Sequence, residues 1–150
     1  MIKSKFAISI HILTLLNSSG EEWLSSEIIA GSLNANPALV RKELSNLRSF
    51  GLIESKEGKS GGSRLAKQAK DIRLSDIFKA IKDEHVFGFS PNEPNEKCNV
   101  GKKINAHLDD LFSLIDDQIF DVLQHITLAD FARHFSKDEC PKKKAQQDPA

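Results

Sequence analysis

Between residues 41 and 73 the chain carries nine lysines and arginines against four aspartates and glutamates. Arg41, Lys42 and Arg48 fall among Leu39, Val40, Leu44, Leu47 and Phe50, which recur at helical spacing. Lys56, Lys59 and Arg64 surround the turn Gly58-Lys59-Ser60-Gly61-Gly62. A guanidinium fork can hydrogen-bond a base edge bidentately, and ammonium groups neutralise phosphates. A cation-bearing helix followed by a basic glycine turn therefore points to duplex DNA. Arg41 is expected to reach base edges, with Asn36 and Ala38 close to the DNA backbone or a thymine methyl. Lys42, Arg48, Lys56, Lys59 and Arg64 are assigned to phosphates or to the groove beneath the turn.

The other reactive residues are two cysteines, Cys98 and Cys140. They have no framework of spacings, so they read as thiols rather than a structural disulfide. Cys98 lies in a proline-containing loop just before a helix, with Asn99 a candidate cap. The helix dipole and Lys97, Lys102 and Lys103 would lower its pKa. Cys140 is also cationic in setting, between Lys137 and Lys142-Lys143-Lys144. The pair reads as redox-sensing, against the plainer reading of two inert thiols. A cysteine-dependent enzyme using Cys98 with His107 or another histidine as base is a competing reading. It would need a positioned base, an orienting third group and an oxyanion pocket, none marked in the sequence. A protein-binding winged-helix module is a third reading; a salt-dependent mobility shift on duplex DNA separates it from the first.

The elements that must position these residues follow from periodicity. Residues 3–17 read as a helix apolar almost all round, and hence buried on more than one side. Trp23 reads as a packing anchor. Ser25 can cap a second helix carrying Ile28, Ile29 and Leu33. Asn36-Pro37 opens the cationic helix and Gly51 closes it. Leu52-Ile53-Glu54-Ser55 alternates like a strand, which completes a winged helix-turn-helix. Ser75 can cap a short helix with Ile77, Phe78 and Ile81. Residues 84–99, with Pro91 and Pro94, form a loop. A long helix over about 100–124 follows, with Ile104, Leu108, Leu111, Ile115, Ile119 and Val122 on one face. Asp109, Asp110, Asp116, Asp117 and Asp121 are expected on its other side. Such a stripe calls for a partner helix from a second subunit, giving a homodimer and an inverted-repeat operator. Thr127 can cap a final helix.

The fold class is thus mostly α with a small β wing: a winged helix-turn-helix plus a long dimerisation helix. The expected divisions are a DNA-binding domain over 1–83, a sensor loop over 84–99, dimerisation helices over 100–135 and a flexible tail over 136–150. The charge division agrees. Residues 1–73 hold 11 basic and 7 acidic groups, and residues 74–150 hold 10 and 14, although the whole chain sums to zero. The N-terminus has a basic start and an apolar stretch, but His11 and Thr14 interrupt it and no small-residue cleavage site follows. The reading is a cytoplasmic protein without a membrane span.

Four segments, KFAISIHILTLL, GLIESKEGKSGGSRLA, LSDIFKAI and ITLADF, carry a resemblance. Over about residues 2–135 the chain resembles the winged-helix repressors that include IscR, NsrR and CymR (the Rrf-two family). Within it the chain is most similar to the YwnA-like members, which share a PxxxRK-like helix and a GKKI segment after the loop cysteine. The resemblance implies a DNA-binding transcriptional repressor. Family wings commonly place an arginine before the first wing glycine and an aromatic after the glycine pair. Here Glu57 and Ser63 stand there, so Lys56, Lys59 and Arg64 must supply the positive charge. Cluster-binding relatives carry C-x5-C-x5-C-x2-H in the loop. The corresponding positions here are Asn92, Cys98, Ile104 and His107, too few thiolates for an iron–sulfur cluster. No cofactor and no metal site is therefore expected.

Overall fold

The computed structural model describes residues 2–82 and 85–135. The order is α1 (Ile2–Ser18), α2 (Ser26–Leu33), α3 (Pro37–Ser49), β1 (Ile53–Lys56), β2 (Gly62–Leu65), α4 (Leu74–Ile81), α5 (Asn99–Leu123) and α6 (Leu128–Ala132), with a 3-10 turn at Ala69–Asp71. This is the expected class, mostly α with a two-stranded wing.

Local chemistry sets most boundaries. The Ser25 hydroxyl accepts the Ile28 N–H at 3.3 Å, and the Asn36 side chain accepts the Ala38 N–H at 2.8 Å with Pro37 behind it. Each such cap stabilises its helix by about 1 kcal/mol. Asn34, at φ 52°, is the left-handed residue that ends α2. Thr127 caps α6 by accepting the Asp130 N–H at 3.0 Å. Two expected caps are displaced. Ser75 is buried inside α4, whose cap position is Arg73; the Asp76 carboxylate accepts the Arg73 N–H at 2.9 Å. Asn99 is the first residue of α5, and Cys98 itself occupies the cap position.

The core gathers Ile12, Leu13 and Leu16 of α1, Ile29 of α2, Val40 and Leu47 of α3 and Ile77 of α4. The apolar α1 is central because it packs against α2, α3, α4, α6 and β2. Leu128 of α6 belongs to the same core. A short bridge brings it there: Leu128 donates to Ile72 O at 2.7 Å and Leu74 donates to Ile126 O at 2.9 Å. The end of the 100–135 segment therefore packs into the winged core. The helix α5 is different. Of its 25 residues only Phe112 and Asp116 are buried, so its contacts with the rest of the chain are few. Among the described residues no helix is long and apolar enough to cross a membrane.

Candidate nucleic-acid interface and sensor loop

The helix-turn-helix is formed by α2 and α3. Ala38, Arg41, Lys42 and Arg48 are exposed on α3, whereas Val40, Leu44 and Leu47 face the core. Asn36 is exposed at the start of the same helix. Asn46 fixes the back of α3: its side-chain amide donates to Ala80 O at the end of α4, 2.7 Å away. Arg41 does not stand alone. Glu27, in the first turn of α2, lies 3.9 Å from it, and the two side chains are 58% and 71% exposed. A pair so open is weak and competes poorly with an incoming phosphate or base. Two large apolar side chains, Ile28 and Leu39, are also exposed on these helices.

The wing pairs Ile53 with Leu65 and Lys56 with Gly62. A third segment joins it through Leu24, which exchanges hydrogen bonds of 2.9 and 2.8 Å with Ser63. The glycine pair answers to this packing. A Cβ on Gly61 would lie 2.0 Å from the Lys56 carbonyl oxygen, and one on Gly62 would lie 2.3 Å from that of Leu24. The turn is thus a close backbone contact as well as a flexible link. Lys56 and Lys59 are exposed. Arg64, assigned above to DNA, is turned back instead. Its guanidinium sits 4.1 Å over the Trp23 ring, donates through Nε to Glu54, and lies 3.5 Å from Glu21. Trp23, expected as a packing anchor, is half-buried and stands outside the core; its ring is the platform for Arg64.

The loop docks on α5 through residues that the sequence reading left out. Asp116, expected on a solvated face, is 1% exposed. Its Oδ2 lies 2.6 Å from His85 Nδ1 and 3.4 Å from Lys82 Nζ, and its Oδ1 accepts the Val86 N–H at 3.1 Å. His85 Nε2 lies 2.8 Å from Asp109 Oδ1. Rings of His85, Phe87 and Phe89 gather on Phe112 at centroid separations of 5.8, 6.0 and 5.4 Å. The hydrogen bonds to Asp116 and then Asp109 raise the His85 pKa above its usual 6.5. Burial pushes the Asp116 carboxyl up, but His85, the Val86 N–H and Lys82 outweigh it and leave it below the usual range. Two signals were available. Asp109 and Asp116 are seven residues apart, on one helix face, and His85, Phe87 and Phe89 cluster within five residues of one another.

Cys98 is exposed. The N–H groups of Gly101 and then Val100 face its sulfur and lower the thiol pKa below the usual 9.0, without closing a capping hydrogen bond. These amides, not the flanking lysines, are the cause. The loop end is folded tightly there: the Cys98 backbone N–H donates to Asn95 O at 3.1 Å, and a Cβ on Gly101 would lie 2.4 Å from that oxygen. Cys140 lies outside the described residues. His107 is exposed on α5, nine residues beyond Cys98, or about 13 Å along the axis. Among the described residues no three histidine, cysteine or acidic side chains are grouped to hold a metal ion.

On its other side α5 presents a continuous apolar groove formed by Leu114, Ile115, Ile119, Val122 and Leu123, with Gln118 the polar member. Leu114 and Val122 are 65% and 61% exposed. This is the face on which the sequence stripe was drawn.

Residues 2–134 match the family described as Rrf2, iron-dependent transcriptional regulators. The chain is 41% identical over 135 residues to the HTH-type transcriptional regulator YwnA of Bacillus subtilis, covering 89% of this chain and 98% of that one. Its fold is similar to that of CymR, the global cysteine regulator of B. subtilis, with a TM-score of 0.65, 27% identity and coverage of 91% and 98%. A transcriptional regulator structure from Lactobacillus plantarum superposes with a TM-score of 0.73 at 25% identity, covering 89% of each chain. The family description names iron, but the donors here do not fit an iron–sulfur cluster. Asn92 and Ile104 stand where cluster-binding relatives have thiols, which leaves one thiolate and one imidazole where a cluster needs several thiolates.

Proposed function

The chain belongs to the Rrf2 family of transcriptional regulators, and from that premise we propose a homodimeric repressor that binds an inverted-repeat operator in the cytoplasm. One observation carries the DNA-binding reading: the capped helix α3 presents Arg41 and Lys42 to solvent beside a wing whose tip carries Lys56 and Lys59. In this reading Arg41 leaves Glu27 for a base edge, and Asn36 and Ala38 approach the backbone or a thymine methyl. Lys42, Arg48, Lys56 and Lys59 neutralise phosphates. Arg64 holds the wing to Trp23 and stays off the DNA. The groove on α5 supports a two-fold dimer, because a second copy of the same apolar face covers it. Ile115→Asp would place an unpaired charge in that seam and yield monomers by sedimentation.

The deciding experiment measures duplex binding across a salt series. Arg41→Ala is expected to lose about 1–3 kcal/mol on the operator and to relax sequence preference, whereas Lys59→Ala weakens all sequences together. An Arg41→Ala protein that distinguishes operator from random duplex as the wild type does would remove Arg41 from base reading.

Thiol sensing through Cys98 and Cys140 is the second part of the proposal. Exposure of Cys98 and its lowered pKa support it. A peroxide oxidises the thiolate to a sulfenic acid, and a second thiol, that of Cys140, displaces the hydroxyl as water to close a disulfide. Loss of repression is the expected consequence. If a Cys98→Ser protein loses DNA affinity under peroxide just as the wild type does, the sensor is elsewhere.

A further inference from the structure

The two nitrogens of His85 each face a carboxylate oxygen, Asp116 Oδ2 at 2.6 Å and Asp109 Oδ1 at 2.8 Å. An ionised carboxylate only accepts hydrogen bonds, and a neutral imidazole has a single N–H. Neutral His85 would therefore turn a ring lone pair on one of the two carboxylates. Only the imidazolium satisfies both. Among the described residues the charged groups that face this ring are Asp109 and Asp116 of α5, with Lys82 from the end of α4 on the far side of Asp116. The loop adds the Phe89 ring and α5 the Phe112 ring.

Asp116 is the point where three parts of the chain meet. Lys82 arrives from the end of α4, His85 and the Val86 N–H from the start of the loop, and the carboxylate itself from α5. Behind Lys82, the Ala80 carbonyl holds the Asn46 side chain of the recognition helix. A loosened His85 thus acts on the joint between α4 and α5, one hydrogen bond away from α3. We propose that the His85 imidazolium, gripped by Asp109 and Asp116, is a proton-operated fastener. Charged, it holds the start of the loop, residues 85–89, on α5 and fixes the angle at which α5 carries the recognition helix; neutral, it releases that segment. The consequence for operator binding rests on the dimer proposed above, whereas the fastener itself does not.

Hydrogen exchange on the full chain, corrected for the intrinsic pH dependence of amide exchange, reads the fastener without DNA. The Val86 amide, which donates to Asp116 Oδ1, is expected to be several-fold better protected at pH 6 than at pH 9. His85→Gln carries no charge and bears both its N–H groups on one nitrogen, so it cannot reproduce the two opposed donors of the imidazolium, and its loop should exchange at pH 6 as the wild type does at pH 9. His85→Arg is permanently charged and can donate to both, and should keep the loop protected at pH 9. Asp109→Asn removes one negative charge beside the ring and should move the wild-type midpoint to lower pH. A wild-type loop equally protected at both pH values, or a His85→Gln loop protected like the wild type at pH 6, would overturn the fastener. The second readout is operator affinity at pH 6. His85→Gln is expected to bind about fivefold more weakly, a modest coupling, while remaining dimeric by sedimentation. A loosened loop with unchanged affinity would overturn the positioning role. A wild type that binds no duplex would overturn the proposed function, and the exchange experiment would still decide the fastener.

Discussion

The wing and the proline loop both leave the helical scaffold, and different chemistry returns each of them to it. The wing is held by backbone. Its strands pair with each other and with Leu24, and Gly61 and Gly62 let carbonyl oxygens come closer than any side chain allows. The start of the loop is held by side-chain charge, through His85 on Asp109 and Asp116. Backbone hydrogen bonds do not titrate near neutrality; an imidazolium does. A part that must present the same surface to every operator suits the first device. A part that must respond to conditions suits the second.

Backbone contact should be the costlier device to break. Gly62 has φ 149°, and a Cβ there would meet Leu24 O, C and N at 2.3, 2.5 and 3.0 Å. Gly62→Ala therefore combines a disfavoured conformation with a clash against backbone, and should cost about 2–4 kcal/mol in urea unfolding. Gly58 is the control within the same turn. Its φ of 101° also disfavours alanine, but a Cβ there meets nothing within 4 Å. Gly58→Ala should cost about 1 kcal/mol. Equal costs at the two sites would mean that the Leu24 contact does not constrain the wing.

The charge device should cost less and depend on pH. Asp116→Ala leaves Lys82 and His85 to water, and a loss of about 1–3 kcal/mol is expected where both partners are charged. His85 has its pKa raised from 6.5, so its contribution is complete below 6.5 and disappears as pH rises through the folded value. Asp116 has its pKa lowered from 3.8, so its contribution is complete above 3.8 and is lost as pH falls through the folded value. The stability difference between wild type and Asp116→Ala should therefore plateau between those two values and shrink on the alkaline side. The Gly62→Ala difference should be flat over the same range. A difference that stays flat through the pH at which the His85 imidazole proton resonances titrate would mean that the His85 contact contributes nothing to stability.

The two regions were also unequally legible. Ser25, Asn36 and Thr127 cap helices two or three residues away, so their roles are written locally and could be read from the chain. The wing announced itself through the glycine pair and the short alternating strand. The place of Cys98 before a helix start is a local signal, although the amides of Gly101 and Val100 lower its pKa rather than the lysines. What escaped was pairing at a distance. His85 meets Asp116 across 31 residues, and Arg64 meets Glu21 across 43. No period in the sequence links such residues. Asp116 was also hidden by its neighbours. Among Asp109, Asp110, Asp117 and Asp121 it looks like one more solvated acid, and only its place beside Phe112 on the packed face of α5 separates it from them.

The smallest expected effect tests whether Arg64 belongs to the wing's scaffold or to its DNA surface. Arg64 stacks on Trp23 and pairs with Glu54 and Glu21. It is 30% exposed, so solvent screens much of the ion-pair energy. Arg64→Ala should cost about 1 kcal/mol of stability, most of it the cation–π stack and the packing of the side-chain stem. Arg64→Lys keeps the charge but loses the planar fork, and should cost roughly half as much. The decisive quantity is the salt dependence of DNA binding. Each phosphate contact removed lowers the slope of log affinity against log salt by about one. Lys59→Ala should lower it by about that amount. Arg64→Ala should leave the slope unchanged, because its guanidinium is already committed to two carboxylates and an indole. A slope lowered as much as by Lys59→Ala would show that Arg64 leaves Trp23 for a phosphate when DNA arrives, and the wing would then rearrange on binding rather than dock as a fixed surface.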